Sequence, residues 1–379
     1  MIFLIVVFIE DAVLYIRMVA IMPALSMPLK STKTQTKQRM SHDNSRPVIA
    51  SSKVILPFSK NTAKMQSPAM QYNLTQVTKR RPNSTLIIRR KRTHELEFEK
   101  KKDFAGHLST SNYHKRHFIT INLMGRLGNN MFQLAALISS AKRLNYTAFV
   151  RPNKVLNYFF LVHMTSDITL TNRKTFSEHM YAKYDSNIES LDTNYNWTLS
   201  GYYQSWKYFY KDENLIRRSF KFRPNTSKAA RQFVDGFRDK HKTIVGIHIR
   251  RGDMTGQKNK MLGYTTASLR YIHKSMNYFR DRYNDTLFFI CSEDISWCKE
   301  NIRGNNDTVF SNFDNPGSVM AMLSFCDHVI ITSGTFGWWG AWLAGGDVVY
   351  FKGFPRPGSN IDKGMCREDY YPPQWIGMD

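Results

Sequence analysis

From residue 117 onward, apolar and polar positions follow patterns whose period changes in blocks. HFITINLM (117–124) alternates every second residue and predicts a strand. GRLGNN follows, and its two glycines predict a tight loop. Met131, Leu134, Ala135, Ile138 and Ala141 then recur at helical spacing, and TAFV (147–150) predicts the next strand. Strand, glycine loop, helix and strand make a βαβ unit. From 150 to 240 the pattern is mixed and aromatic. It becomes regular again at 243. TIVGIHI predicts a strand, and TTASLRYIHKSMNYFRDRY an amphipathic helix with Leu269, Ile272, Met276 and Phe279 on one face. TLFFICS predicts a buried strand and EDISWCKENI a helix opening at its end. VMAMLSFCDHVIITSGTFGWWGAWLAGG reads as helix, strand, loop and helix, and DVVYF as another strand. Strands alternating with helices predict an α/β chain on parallel sheets.

The first 117 residues behave differently. MIFLIVVFIEDAVLYIRMVAIMPAL (1–25) is apolar but interrupted by Glu10, Asp11 and Arg17. It predicts a signal anchor, with a cleaved signal or a later start at Met18 or Met22 as alternatives. Central charges cost about 2.5–3.5 kcal/mol each on insertion scales. The flanking Lys30, Lys33 and Lys37 argue against a lumenal body. Residues 26–117 are Ser, Thr, Lys, Arg, Gln and Asn rich with no apolar period, and predict a flexible basic stem. Residues 1–117 hold 21 Lys/Arg and 7 Asp/Glu, so +14 of the chain's +24 lies there. The remaining chain is only moderately basic. That argues against nucleic acid as a partner and suits an anionic small substrate.

Seven N-x-S/T sequons begin at Asn73, Asn83, Asn145, Asn196, Asn225, Asn284 and Asn306. This number fits a secreted or lumenal glycoprotein better than a cytosolic protein. In that compartment, one or two disulfides among Cys291, Cys298, Cys326 and Cys366 compete with buried thiols as the expectation. Four cysteines allow three pairings, and no CxxC spacing suggests zinc.

Ligands of open parallel sheets bind beyond the carboxyl ends of the strands, and three predicted strands end in polar signatures. HIRRGD puts His248 and Arg250 on one face. Arg251 points opposite or follows a bend. Two guanidiniums call for an anion, and a diphosphate fits their fork geometry. Asp253 offers an alternative, neutralising one of them. SED places Ser292, Glu293 and Asp294 where they could grip a ribose or guanine, or simply cap a helix. TSGTFGWW places Ser333 and Thr335 before a helix start, with free N–H groups near Phe336 suited to phosphate. Trp338, Trp339 and Trp342 read as packing. LSGYYQSWKYFY (199–210) reads equally as a sugar-stacking platform and as core.

GRLGNNMFQLA, VGIHIRRGD, WCKENI, TFGWWGAWLAGGD and DYYPPQWIGMD resemble, in order over about 118–377, the motifs of the α-1,2-fucosyltransferases (glycosyltransferase family 11). The resemblance implies a GT-B-like α/β fold: two Rossmann-like domains facing a donor cleft. It divides the chain into a signal anchor (1–25), a stem (26–117), an acceptor-side domain (118–242) and a GDP-fucose-binding domain (243–379). It implies inverting transfer of L-fucose from GDP-L-fucose to the 2-hydroxyl of a terminal galactose. No cofactor and no obligatory metal are implied, and the setting is a type II, single-pass Golgi membrane protein. Arg250 and Arg251 would stabilise the leaving diphosphate, with Ser333, Thr335 and Phe336 assisting. Arg126 and Asn129 would approach the donor from the facing domain, His248 would contact nucleotide, and Asp253 is the candidate proton acceptor. The rival reading is a non-catalytic glycan-binding protein on the same scaffold.

Overall fold

The computed structural model describes residues 8–9, 12–13, 117–162, 171–302 and 306–379. The expected stem, and the sequons at Asn73 and Asn83, lie outside them. Of the expected anchor only β1 (Phe8–Ile9) and β2 (Ala12–Val13) are described, paired antiparallel. Among the described residues no helix is long and apolar enough to cross a membrane.

The first parallel sheet holds β3 (Phe118–Ile121), β4 (Thr147–Phe149), β5 (Arg173–Ser177) and β6 (Asn196–Ser200) in the order β4-β3-β6-β5. Helix α1 (Leu127–Leu144) joins β3 to β4, and the short α2 (Lys154–Phe159) follows. The expected glycine loop is shorter than GRLGNN. Gly125, at φ +81°, reverses the chain in one step, so Gly128 already lies in the first turn of α1.

The second sheet is also parallel. It holds β7 (Thr243–Ile249), β8 (Thr286–Ser292), β9 (Thr308–Phe310), β10 (His328–Ile331), β11 (Val348–Phe351) and β12 (Ile376–Met378). Their order is β12-β11-β10-β7-β8-β9. The chain builds outward from β7 through β8 to β9, then returns to the other side of β7 for β10, β11 and β12. The switch point where ligands bind in such sheets therefore lies between β7 and β10. All seven residues of β7 are buried, as a central strand covered on both faces requires. The helices are α3 (Glu213–Ser219), α4 (Pro224–Arg238), α5 (Gln257–Leu262), α6 (Leu269–Arg282), α7 (Ile295–Asn301), α8 (Pro316–Phe325), α9 (Thr335–Ala344), α10 (Asn360–Lys363) and α11 (Arg367–Tyr370). Helix α4, on the amino side of 242/243, packs on α8.

The GT-B-like arrangement expected from the sequence is observed, and one hydrophobic core serves both sheets. Ile119 and Phe132 from the first half share it with Leu323, Trp338 and Trp339 from the second. The Phe132 ring lies 4.5 Å from that of Trp338. Tyr202, Tyr203, Tyr208 and Phe209 of the aromatic stretch are buried, so the core reading holds for them and sugar stacking does not. All four cysteines are free thiols, three of them buried, so of the two competing readings the thiols hold and the disulfides do not.

Candidate active site

The carboxyl ends of β3, β7, β8 and β9, with the start of α9, converge on a cleft of about 630 Å³. Small-molecule pockets run from roughly 300 to 1,000 Å³. Gly125, Arg126, Leu127 and Gly128 form one wall. His248, Arg250, Asp253, Cys291, Ser292, Glu293, Thr335 and Phe336 form the opposite one. Val155 and Phe159 of α2 and Ser311, Phe313, Asp314, Pro316 and Val319 after β9 close one end.

Arg250 is the central cation. It follows the last residue of β7, and its backbone N–H donates to Thr332 Oγ1 at 2.9 Å, just beyond β10. Its guanidinium donates to both oxygens of Asp253, at 3.2 and 2.7 Å. It lies flat against Gly334, where a Cβ would come within 2.4 Å of Nη1. That glycine sits at φ +82°, so both its conformation and its neighbour exclude a side chain. Burial raises the Asp253 carboxyl pKa. Hydrogen bonding and charge from Arg250, with the charge of Arg126, outweigh this and hold it below the ordinary value. Asp253 is thus the partner of Arg250, the alternative weighed from sequence, and a poor proton acceptor. His248 is buried, and burial together with Arg250 pushes its imidazole down to about 3. It is neutral at physiological pH. Its Nδ1 has no hydrogen-bond partner among the described residues.

Arg251 does not join Arg250 in lining the cleft. Its Nε donates to Asp294 at 3.2 Å, and its guanidinium stacks 3.8 Å from the centre of the Trp297 ring. Glu293 accepts from the backbone N–H groups of Arg251 and Gly252, at 2.7 and 2.8 Å, and so pins the turn that presents Arg250. Asp294, rather than Ser292, caps α7 by accepting from Trp297 N. Ser292 Oγ accepts from Asp294 N. SED is therefore mostly structural, although Ser292 and Glu293 reach the cleft wall.

Two uncapped helix N-termini face the cleft. Neither α1, with Arg126 at its cap, nor α9, with Gly334, has a side-chain cap. Their first N–H groups and dipoles favour an anion. Gly128 lets them touch: a Cβ there would lie 2.6 Å from the Thr335 carbonyl carbon and 2.8 Å from Phe336 N. Asn129, expected at the donor, is fully buried behind this contact, and its Oδ1 accepts from Thr335 Oγ1 at 2.8 Å. Ser333 is also buried, and its Oγ has no partner among the described residues. The Phe336 ring packs 5.1 Å from His248.

Sequence reasoning missed the short segment after β9, whose Phe313 and Asp314 lack any periodic signal. It also missed Thr332, whose Oγ1 accepts from Arg250 N, and Gln204, whose Nε2 donates to Asn129 Oδ1. Of the remaining sequons, Asn145, Asn225, Asn284 and Asn306 are exposed. Asn196 is not available in the folded chain. Its Oδ1 accepts from Phe118 N and its Nδ2 donates to Thr171 O, both at 2.7 Å. Among the described residues no three His, Cys, Asp or Glu side chains group as a metal site.

Residues 84–379 match Glycosyl transferase family 11. The chain is similar to galactoside 2-alpha-L-fucosyltransferase SEC1 of Bos taurus, 31% identical over 288 residues, 73% of this chain and 78% of the relative. It is similar to galactoside alpha-(1,2)-fucosyltransferase 2 of Bos taurus, 32% identical over 270 residues, 68% of this chain and 78% of the relative. Among solved structures it is similar to a mutant of Arabidopsis thaliana FUT1 in complex with GDP. That likeness has 10% identity and a TM-score of 0.43, covering 62% of this chain and 70% of that one. With the match running from before β3 through β12, the chain belongs to glycosyl transferase family 11.

Proposed function

We propose that the chain transfers L-fucose from GDP-L-fucose to the 2-hydroxyl of a terminal galactose on a glycan, with inversion at the anomeric carbon. The observation that carries this reading is Arg250, placed at the switch point of a parallel sheet and facing a cleft into which two uncapped helices point. The galactoside acceptors and the 1,2 linkage named for the relatives support the choice of substrates.

The acceptor oxygen attacks the fucose carbon opposite the diphosphate. The carbon–oxygen bond breaks, and its electron pair leaves with GDP. Negative charge grows on the diphosphate, so donors already aimed there stabilise the transition state more than the ground state. Arg250 and the first turns of α1 and α9 fill this role, with Arg126 from the facing wall. Arg251 braces the turn that carries Arg250. Neutral His248 and Phe336 meet the nucleotide. With Asp253 held by Arg250, the hydroxyl proton passes late, to a phosphate oxygen of the departing GDP. The apolar amino-terminal segment and the sequons support a membrane-anchored, lumenal setting in the Golgi.

The test is incubation of the purified chain with GDP-fucose and a panel of galactose-terminated glycans, with linkage analysis of the product. An α-1,2-fucosylated product and equimolar GDP are expected. Galactoside binding with neither transfer nor GDP affinity would leave a lectin on an enzyme scaffold.

A further inference from the structure

The stretch SGYYQSWK (200–207) does more than fill the core with Tyr202 and Tyr203. It leaves β6 through a turn with two left-handed residues, Gly201 at φ +149° and Tyr203 at φ +53°. Positive φ at a tyrosine is strained and persists only where the surroundings impose it. Here Glu178 imposes it, accepting from the backbone N–H groups of both Tyr202 and Tyr203, while Gln133 Nε2 donates to Gly201 O at 2.8 Å. The turn aims Gln204 at α1 of the same half, where that half meets Thr335 of the other. Its Nε2 donates at 3.1 Å to Asn129 Oδ1, the same atom that accepts from Thr335 Oγ1. All three side chains are buried. Asn129 also lies directly beneath Gly125, where a Cβ would come within 2.3 Å of its Nδ2. Both walls of the cleft thus rest on one amide, and Gln204 supplies a donor to it.

We propose that Gln204 is a positioning residue. Through Asn129 it fixes Thr335 and the first turn of α9 against the glycine turn of β3, at the separation a bound diphosphate needs. This rests on the GDP-sugar reading of the cleft. Gln204 does not border the cleft itself, so it acts through Asn129 rather than by touching substrate. Losing its N–H removes one of the two donors on Asn129 Oδ1 and leaves the hydroxyl of Thr335 as the other, so the bonded pair can shift together with the first turn of α9. The α9 N–H groups then lose their aim, and affinity falls first for the diphosphate they face.

GDP binding by titration calorimetry, and the two Michaelis constants, test this in the wild-type chain, in Gln204→Met, Thr335→Val and Thr335→Ser, in the Gln204→Met/Thr335→Val double variant, and in Gln204→Met combined with Thr335→Ser. Gln204→Met is expected to weaken GDP roughly tenfold, the scale of one buried acceptor left short of a donor. The donor KM should rise with it, and the acceptor KM should hold. The double variant is expected to be little worse than Thr335→Val alone, because both act on the same amide. Thr335→Ser keeps the hydroxyl and should keep the full effect of Gln204→Met when the two are combined. Simple loss of packing would instead shift both Michaelis constants and add across the cycle. Equal GDP affinity in wild-type and Gln204→Met protein, or strict additivity, overturns the proposal. A wild-type chain that does not bind GDP overturns the donor reading itself and this inference with it.

Discussion

Two adjacent arginines face different fates, and the difference is measurable. Arg250→Ala removes the cation at the switch point and takes from Asp253 its hydrogen-bonded partner. A fall in kcat of about 10²–10³ is expected, the scale seen when one preorganised donor to a developing oxyanion is lost. Arg251→Ala removes a stacking contact and an ion pair outside the cleft, so the main expected effect is a lowered Tm with most activity kept. Steady-state kinetics with thermal melts separate the two. Glu178 gives a pH signature. Burial pushes its carboxyl up to about 8 against the hydrogen bonds from Tyr202 and Tyr203. The folded chain therefore holds a proton there that the unfolded chain loses near the ordinary 4.5. The stability linked to that proton is complete below the unfolded value and is lost as pH rises through about 8. Melts between these limits should show Tm falling with pH, and Glu178→Gln should flatten that slope. At this scale HIRRGD brings His248, Arg250 and Asp253 to the cleft wall, but the motif could not divide labour between its arginines. That division depends on Asp294 and Trp297, brought in by another strand.

Among the elements, those buried on both faces were legible to the residue. β7 and β8 coincide with TIVGIHI and TLFFICS, and the face of α6 holds Ile272, Met276 and Phe279 in the core. β5 was not, because RKTFS is an edge strand with four of its five residues exposed and no apolar period. β12 was missed because three residues carry too little pattern, although β11 pairs with it in parallel. The α1–α9 contact was invisible, since it joins positions far apart in sequence. It predicts that Gly128→Ala, whose Cβ would strike the backbone of Thr335 and Phe336, destabilises by about 1–3 kcal/mol. Denaturant midpoints should record that shift. Gly236→Ala, with open space around its Cβ position, should show none of this strain.

For the whole molecule, composition and sequons located charge and suggested a compartment, while the sharing of one core between the two sheets appeared only in three dimensions. Expressed through a secretory pathway, the chain should carry glycans at Asn145, Asn225, Asn284 and Asn306 but not at Asn196, as peptide mass mapping would read. Glycosylation at Asn196 would require β6 to be unpaired when the glycan is attached. The shared core also places Trp338, Trp339 and Trp342 of α9 where the two halves meet, with the Trp375 ring 5.1 Å from that of Trp338. The protein thus carries an intrinsic optical gauge at its seam. A red shift in tryptophan emission during a urea titration should coincide with the collapse of nucleotide affinity, in one sigmoid rather than two.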